Sequence, residues 1–594
     1  MNHRWEVLSL TEQVKKKNTK GTIVRLLKYL SRNKWFIVLA LITTVSGNYL
    51  SLLIPRYTGY AIDAIGVNQT VDFAKVFYYC RWMLVLVAGS SVLSYITQAL
   101  LIRISARTSE ILRQEVFDHL LTLPVSFFDK HQAGDIISRI SYDIDTINTS
   151  LSSDIVMITT TLFTVFGSLI MMIRISPLLC IVFVITTPMT LYITRLRAIK
   201  VRPLFSRRSR LLGELNGFAE EMYSGHKTIK AYGQEETIIS RFAKKNTEAV
   251  DAYYEADYQG TIVGQTVQWI NNLSMALISG FGAYLFLIGS ISIGSISTFI
   301  QYSRRFSGPI SELANIMAEL QSALSAAERV FALIDEPSEP ADMQNAHILD
   351  HAVGNVDFDH VKFSYVPGNE IIHGLDLHAD AGKMIAIVGP TGAGKTTIIN
   401  LLMRFYDADS GTIRIDGYPI MECTRDSLRR QFSMVLQETW LFEGTIFENV
   451  AYGTDHATRE DVINACKAAH IHDFIMSLRQ GYDTMLTDDG INISKGQKQL
   501  LTIARAMLSD SRMLILDEAT SNVDSYTEKE IQAAIRNLCR GKTTFIIAHR
   551  LSTIQEADRI LVLQHGTVIE QGTHEELLAQ KGFYASLFQA QWTN

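Results

Sequence analysis

The chain has 594 residues, of which 47% are hydrophobic and only 19% are charged, and its formal net charge at pH 7 is -5. A chain of this length is too long for a single hydrophobic core, so several domains are expected. A soluble protein would carry more charge, and the lack of a basic excess argues against a nucleic-acid partner. The five cysteines contain no CxxC pair. We expect them to be reduced thiols rather than disulfides or metal ligands.

Apolar runs recur through the first half of the chain, at residues 35–54, 79–102, 155–173, 178–193, 273–288 and, in a more polar form, 295–320. A helix needs roughly twenty residues to cross the hydrocarbon of a bilayer. The pattern therefore predicts an all-α membrane domain of six spans. The alternative, buried helices of a large soluble protein, is disfavoured because no comparable run follows the sixth.

Basic residues indicate how these spans are oriented. Lysine and arginine cluster before the first span, after the second and after the fourth, whereas the turn at 289–294 carries no charge. The positive-inside rule then places both termini in the cytoplasm. Residues 22–30 read as an amphipathic helix on the inner surface. The long connections keep helical spacing, so we expect the spans to continue as helices into the cytoplasm and to turn near 127–135 and 217–225.

The second half changes character after a polar linker. Short β-branched strands then alternate with helices, which is typical of an α/β domain. The predicted organisation is an N-terminal cytoplasmic segment, a membrane domain, a linker and an α/β domain, at residues 1–34, 35–335, 336–355 and 356–594.

The strongest motif lies between a predicted strand, residues 385–388, and a predicted helix, residues 398–405. It reads G-x-x-x-x-G-K-T and comprises Gly389, Pro390, Thr391, Gly392, Ala393, Gly394, Lys395, Thr396 and Thr397. In this setting, glycines let backbone N–H groups surround phosphate oxygens. Lys395 would reach the β- and γ-phosphates, and the Thr396 hydroxyl would ligate Mg²⁺. The motif predicts an ATP and Mg²⁺ site.

Two adjacent carboxylates follow a second apolar strand. Asp517 is suited to Mg²⁺, directly or through water, and Glu518 is placed to polarise an attacking water. A strand with an acidic end is common by itself, but beside the phosphate loop it favours ATP hydrolysis.

Together these motifs resemble the ATP-binding cassette (ABC) transporters, and within them the exporter half-transporters, over essentially the whole chain. The resemblance implies that Tyr365 stacks on adenine and that Gln437 joins Mg²⁺ and the attacking water to the membrane domain. It implies that His549 contacts the γ-phosphate. Residues 521–524, ending in Asp524, resemble the loop that crosses between paired ATPase domains.

The signature segment departs from the family pattern. Ile-Ser-Lys-Gly-Gln, residues 493–497, stands where the family has Leu-Ser-Gly-Gly-Gln. The resemblance implies that paired ATPase domains meet head to tail, so that Ser494, Lys495, Gly496 and Gln497 act on the partner's ATP. A plain helix cap is the alternative for Ser494. Lys495 brings bulk and charge where glycine allows close approach. The family contains heterodimers with an altered signature in one chain, so we expect a second half-transporter as partner, with a homodimer as the alternative.

The resemblance further implies ATP-driven export of small amphipathic compounds, drugs, lipids or peptides, across the cytoplasmic membrane by alternating access. The cytoplasmic turns would be coupling helices, with Asp129, Gly134 and Asp135 transmitting closure of the ATPase domains. The alternative is an ATP-gated channel or a regulatory subunit without pumping. The intact catalytic residues argue against it.

Polar residues inside the spans are the candidates for contact with the cargo: Gln265, Gln268, Asn272, Arg304 and Arg305. The first three share one helix face, and either hydrogen bonds between helices or a cavity would explain them. A cation at membrane depth is costly, so at least one of the arginines is expected to face a cavity or a carboxylate such as Glu312. Contact with an anionic cargo is the alternative.

Overall fold

The computed structural model describes residues 19–66, 71–437, 439–454, 456–486, 493–517, 525–548 and 551–592. Contacts divide the chain into two compact units, residues 1–121 with 133–336, and residues 122–132 with 337–594. The short segment 122–132, which the sequence places between two membrane helices, therefore packs with the second unit.

Long helices make up the first unit. In chain order the helices up to residue 334 are α1 Thr19–Ser31, α2 Lys34–Ile65, α3 Phe73–Leu120, α4 Val125–Lys130 (in the second unit), α5 Ala133–Ile175, α6 Pro177–Ser224, α7 His226–Ala231, α8 Glu235–Leu287 and α9 Ile293–Ile334. Two π-helical turns interrupt α5, at Arg139–Asp143 and Ser150–Asp154. Helix α1 contains the amphipathic segment predicted at 22–30.

Five helices, α2, α3, α5, α6 and α8, are long and apolar enough to cross a membrane, and they contain the first five predicted spans. The sixth, 295–320, lies within α9, a helix of 42 residues that is not one of these five. Helices α3 and α8 have 48 and 53 residues, far more than the roughly twenty that a bilayer requires. The prediction that the spans continue as long helices is therefore confirmed.

The second cytoplasmic turn begins at the end of the predicted range, 217–225. Helix α6 runs through Gly217 and ends at Ser224, and the chain turns at Gly225 and again at 232–234. A glycine within a helix costs only about 1 kcal/mol relative to alanine. The good helix formers around Gly217 override that cost.

Small residues let α2 and α9 approach closely. A Cβ on Gly59 would lie 2.7 Å from the carbonyl oxygen of Gly294, so a larger side chain has no room there. The Asp63 carboxylate accepts hydrogen bonds from the Gly294 N–H and the Ser292 hydroxyl, both at 2.7 Å. The bond from Gly294 satisfies an N–H group that the start of α9 would otherwise leave unpaired.

Two sheets form the second unit. The strands are β1 Val356–Phe363, β2 Ile372–Ala379, β3 Met384–Val388, β4 Ser410–Ile415, β5 Tyr418–Pro419, β6 Phe432–Val435, β7 Gly444–Thr445, β8 Met485–Leu486, β9 Met513–Asp517, β10 Thr543–Ile547, β11 Arg559–Gln564 and β12 Thr567–Gly572. The order β12-β11-β3-β10-β9-β6 gives a six-stranded sheet, and β2-β1-β4-β5 an antiparallel one; β7 pairs with β8.

Helices cover the six-stranded sheet. They are α10 Lys395–Leu402, α11 Arg425–Arg430, α12 Ile446–Ala451, α13 Arg459–Ala468, α14 His472–Ser477, α15 Lys495–Leu508, α16 Ser525–Cys539, α17 Leu551–Gln555, α18 His574–Gln580 and α19 Phe583–Trp592. Strands β11, β3, β10, β9 and β6 run parallel, and each is almost wholly buried, as in sheets covered on both faces. Their carboxyl ends share one edge, where ligands of such sheets bind.

Candidate functional site

The glycine-rich loop lies at this shared edge. It leaves the end of β3 at Val388 and enters α10 at Lys395, as the sequence predicts. Gly394 has a left-handed backbone (φ +101°), and a Cβ there would lie 2.8 Å from Ile372 Cδ1. The left-handed conformation therefore favours glycine at this position. The N-terminus of α10 is left open toward the loop, which is the arrangement that binds phosphate.

Lys395 is the first residue of α10 and is only 8% exposed. Its Nζ donates to the carbonyl oxygens of Gly389 (2.7 Å) and Pro390 (3.0 Å), so the side chain folds back across the loop. Burial lowers the pKa of Lys395, and the nearby Asp517 carboxylate partly offsets that shift. The ammonium group is thus held inside the loop, facing the position that phosphate oxygens would occupy.

Asp517 ends β9, which is separated from β3 by β10 alone. Gln437 follows β6 by two residues and is exposed at the same edge. The sheet thereby brings together three predicted site residues that are far apart in the sequence: Lys395, Gln437 and Asp517. Three further predicted residues, Glu518, Asp524 and His549, lie outside the described residues.

The same edge fits a magnesium–nucleotide complex. Thr396 is exposed at the start of α10, and a hydroxyl together with the Asp517 carboxylate is the hard oxygen donor set that Mg²⁺ prefers. Mg²⁺ bound there would neutralise phosphate charge. Lys395 and the N–H groups of the loop would fix the position of the phosphates.

Tyr365 lies beside α10, which places its ring near the loop. Its hydroxyl donates to Thr397 Oγ1 (3.3 Å) and accepts from Asn400 Nδ2 (3.0 Å), and the side chain stays 36% exposed. The ring packs edge-on against Tyr406, with centroids 4.9 Å apart. An anchored and partly exposed aromatic ring beside the phosphate loop is the geometry required for stacking on a base.

Tyr406 connects this ring to the first cytoplasmic turn, a role that the motifs alone did not reveal. Its hydroxyl donates to the carboxylate of Asp129 in α4 at 2.5 Å. Burial, and then the bond to Asp129, raise the pKa of Tyr406, so the hydroxyl stays protonated as a donor. The clue in the sequence was an aromatic residue closely following the phosphate-loop helix. The contacts therefore run from Asp129 through Tyr406 and Tyr365 to α10.

The other two predicted coupling residues belong to a different unit from Asp129. Gly134 and Asp135 are in the first turn of α5, in the first unit, whereas Asp129 belongs to the second unit. The negative charge of Asp135 interacts favourably with the positive end of the helix dipole at the N-terminus of α5. A Cβ on Gly134 would meet nothing within 4 Å, so space does not require glycine there.

The signature segment forms the start of α15. Ser494 is the N-cap, and it exchanges hydrogen bonds with Gln497: its hydroxyl accepts from the Gln497 N–H (3.2 Å), and its own N–H donates to Gln497 Oε1 (2.9 Å). This confirms the capping interpretation of Ser494. The Ser494 hydroxyl hydrogen stays free to point outward. Lys495 is exposed at the first helical position, and Gly496 is buried.

The candidate cargo residues have mainly local partners. Gln268 Nε2 donates to Asn272 Oδ1 (3.4 Å) on the exposed side of α8, where Gln265 is also exposed. Arg304 Nε contacts Met275 Sδ at 3.3 Å. Arg305 Nη1 donates to the carbonyl and hydroxyl oxygens of Ser51, both at 2.9 Å. Among the described residues, neither arginine forms an ion pair; the Glu312 side chain lies outside them.

Comparison with known proteins agrees with this architecture. Residues 37–310 match the family described as ABC transporter transmembrane region, and residues 372–521 match the family described as ABC transporter. An uncharacterized ABC transporter ATP-binding protein, YfiC, of Bacillus subtilis (strain 168) is 41% identical over 98% of this chain and 96% of its own.

Two further proteins are similar over nearly the full length. A fatty acid ABC transporter ATP-binding/permease protein of Mycobacterium tuberculosis (strain CDC 1551 / Oshkosh) is 39% identical over 96% of each chain. The structure of a bacterial Atm1-family ABC exporter with ATP bound is 31% identical, with a TM-score of 0.75, over 94% of this chain and 98% of that one. The chain therefore belongs to the ABC exporters, as a half-transporter in which a helical transmembrane domain precedes an ATP-hydrolysing domain.

Proposed function

We propose that this half-transporter exports small amphipathic compounds, lipids foremost, across the cytoplasmic membrane by alternating access. The observation that carries this proposal is a buried Lys395 and an Asp517 carboxylate at one sheet edge, in a chain that also has five helices able to span a membrane. The similar mycobacterial protein is named for fatty acids, which favours a lipid over a peptide. Both termini would lie in the cytoplasm, because basic residues flank that side of the spans.

The motifs assign a role to each residue of the site. Lys395, Thr396 and Asp517 would hold ATP and Mg²⁺, Glu518 would act as general base, and Gln437 and His549 would contact the γ-phosphate region. The signature, including Ser494, would act on the partner's ATP. ATP drives transport only if it binds the closed pair of ATPase domains more tightly than the open pair.

The test is ATP-dependent uptake of a fluorescent lipid into inside-out vesicles that contain the complex. In the same preparation, Lys395→Ala is expected to abolish uptake and to lower ATP affinity at this chain's loop at least about tenfold, because charge-assisted hydrogen bonds to phosphate are lost. Lys383→Ala is the matched control. That lysine lies at the other end of the β3 region in an exposed ion pair with Asp558, which contributes little. Uptake that needs ATP binding but not hydrolysis, and that only follows the lipid gradient, would instead favour an ATP-gated channel.

The link from Asp129 to Tyr406 gives a prediction for coupling. Tyr406→Phe keeps the ring that packs on Tyr365 but removes the hydroxyl bonded to Asp129. We expect ATP affinity to stay within about twofold, whereas cargo-stimulated ATPase activity and transport fall about tenfold, since a hydrogen bond to a charged group is lost. Phosphate release with and without cargo measures the difference.

Matched variants separate coupling from folding. Asp129→Asn retains an acceptor for the tyrosine and should lose less than Asp129→Ala. Tyr418→Phe removes a tyrosine hydroxyl elsewhere in the domain, from a ring stacked on His347, and should change nothing. Cargo stimulation that is equal in Tyr406→Phe and the unmodified chain would contradict the coupling role.

A further inference from the structure

A cavity of about 870 Å³ lies between α2, α3 and α5, and its lining is polar but uncharged. Twelve of the eighteen lining residues are serine or threonine, and Asn48 and Gln98 add side-chain amides. Aspartate, glutamate, lysine, arginine and histidine are all absent from the lining.

The cavity lies at membrane depth. Its lining comes from residues 43–51 of α2, 90–98 of α3 and 152–164 of α5, which coincide with the first three predicted spans. Hydrocarbon offers no partner to a hydroxyl or an amide, and each unsatisfied polar group there is costly. A surface this polar therefore faces something that accepts or donates hydrogen bonds.

The hydrogen bonds that the lining residues already form decide which chemical groups the cavity can bind. Thr44 donates its hydroxyl to the Ala40 carbonyl (2.7 Å), and Thr97 donates to Thr43 Oγ1 (2.8 Å). Since these O–H groups are occupied, the oxygens present lone pairs to the cavity. Within the described part of the chain, Ser94 and Gln98 are exposed and have no hydrogen-bond partner. The cavity thus offers both hydrogen-bond acceptors and donors, none of them charged.

A charged head group would bind poorly in this cavity. Arg305 reaches the lining only through Ser51, to which its Nη1 is already bonded, and it does not line the cavity itself. A cationic head would find no carboxylate in the lining, and a carboxylate or phosphate head would find no cation there. Either would carry the high cost of a charge at membrane depth.

We propose that this cavity binds the polar head of the cargo, and that the head is uncharged and rich in hydroxyl or amide groups, as in a glycerol or sugar lipid. The proposal rests on the export function proposed above. It differs from the anionic cargo considered for Arg304 and Arg305, and it assigns recognition to α2, α3 and α5.

The test compares three amphiphiles with one acyl chain length: a monoacylglycerol, the free fatty acid and the alkylammonium ion. ATPase activity of the purified complex in nanodiscs is titrated with each. We expect the monoacylglycerol to have the lowest half-stimulating concentration. Thr160→Val and Ser94→Ala should each raise that concentration about fivefold, the effect of one lost hydrogen bond. Thr159→Val is the control, because Thr159 lines a separate apolar groove of about 570 Å³.

The outcomes separate this proposal from the export function. Stimulation by the fatty acid or the alkylammonium ion at lower concentration, unaffected by Thr160→Val, would overturn the uncharged head and leave export standing. Failure of all three to stimulate ATPase activity or to enter vesicles would overturn both.

A thiol experiment tests whether cargo or protein covers the cavity. Ser94→Cys is made in a Cys80→Ser background, since Cys80 is exposed. We expect a water-soluble maleimide to label the new thiol and the monoacylglycerol to slow labelling about fivefold or more. A thiol that stays unreactive with and without ATP would mean that another helix covers this face, which would refute the cargo assignment.

Discussion

Glu518→Gln is expected to reduce ATP turnover by about 10²- to 10⁴-fold, the usual effect of removing a general base. The residue follows Asp517 at the end of β9, at the sheet edge that carries Lys395. The substitution keeps the size of the side chain but removes its basic oxygen, so ATP binding should remain. Phosphate release and retention of radiolabelled ATP after filtration measure the two effects.

Asp510→Asn is the matched control for that substitution. It converts an exposed acid to an amide just before the amino end of the same strand, away from the phosphate loop, and should leave turnover unchanged. A Glu518→Gln complex that kept more than about a tenth of normal turnover would defeat the general-base assignment.

The chain expressed alone is expected to hydrolyse ATP at least about tenfold more slowly than the same chain paired with a half-transporter whose signature has the ordinary glycine pair. Lys495 is the reason. It has an exposed side chain at the first position of α15. In the proposed head-to-tail pair, its bulk and charge would lie in the path of the partner's γ-phosphate. Size-exclusion chromatography with ATPase assays on the lone chain and the co-expressed pair measures the effect.

Lys495→Gly in the lone chain should restore much of the missing activity by rebuilding the signature in a symmetric dimer. Lys498→Gly is the control, because it introduces the same helix-weakening residue one turn later, at a cost of about 1 kcal/mol. A lone, unmodified chain as active as the co-expressed pair would establish the homodimer and end the heterodimer proposal.

The sequence alone was sufficient for the membrane spans and for the phosphate loop. Both depend on local chemistry: a span needs one long apolar run, and the loop needs Gly394 and Lys395 between a strand and a helix. The capping role of Ser494 is local as well, since its partner Gln497 is three residues away. Helix ends were less certain. A helix could end at Gly217 or continue through it, and helix α6 continues to Ser224.

Only the tertiary structure decided which distant residues meet. Strand order places Asp517 and Gln437 at the edge that carries Lys395, and no local pattern specifies that order. The bond from Tyr406 to Asp129 joins residues 277 positions apart. The hydroxyl-lined cavity likewise arises from three helices, each with ordinary serines and threonines that by themselves predict nothing. Long-range packing, which creates these contacts, depends on the whole chain rather than on any one segment.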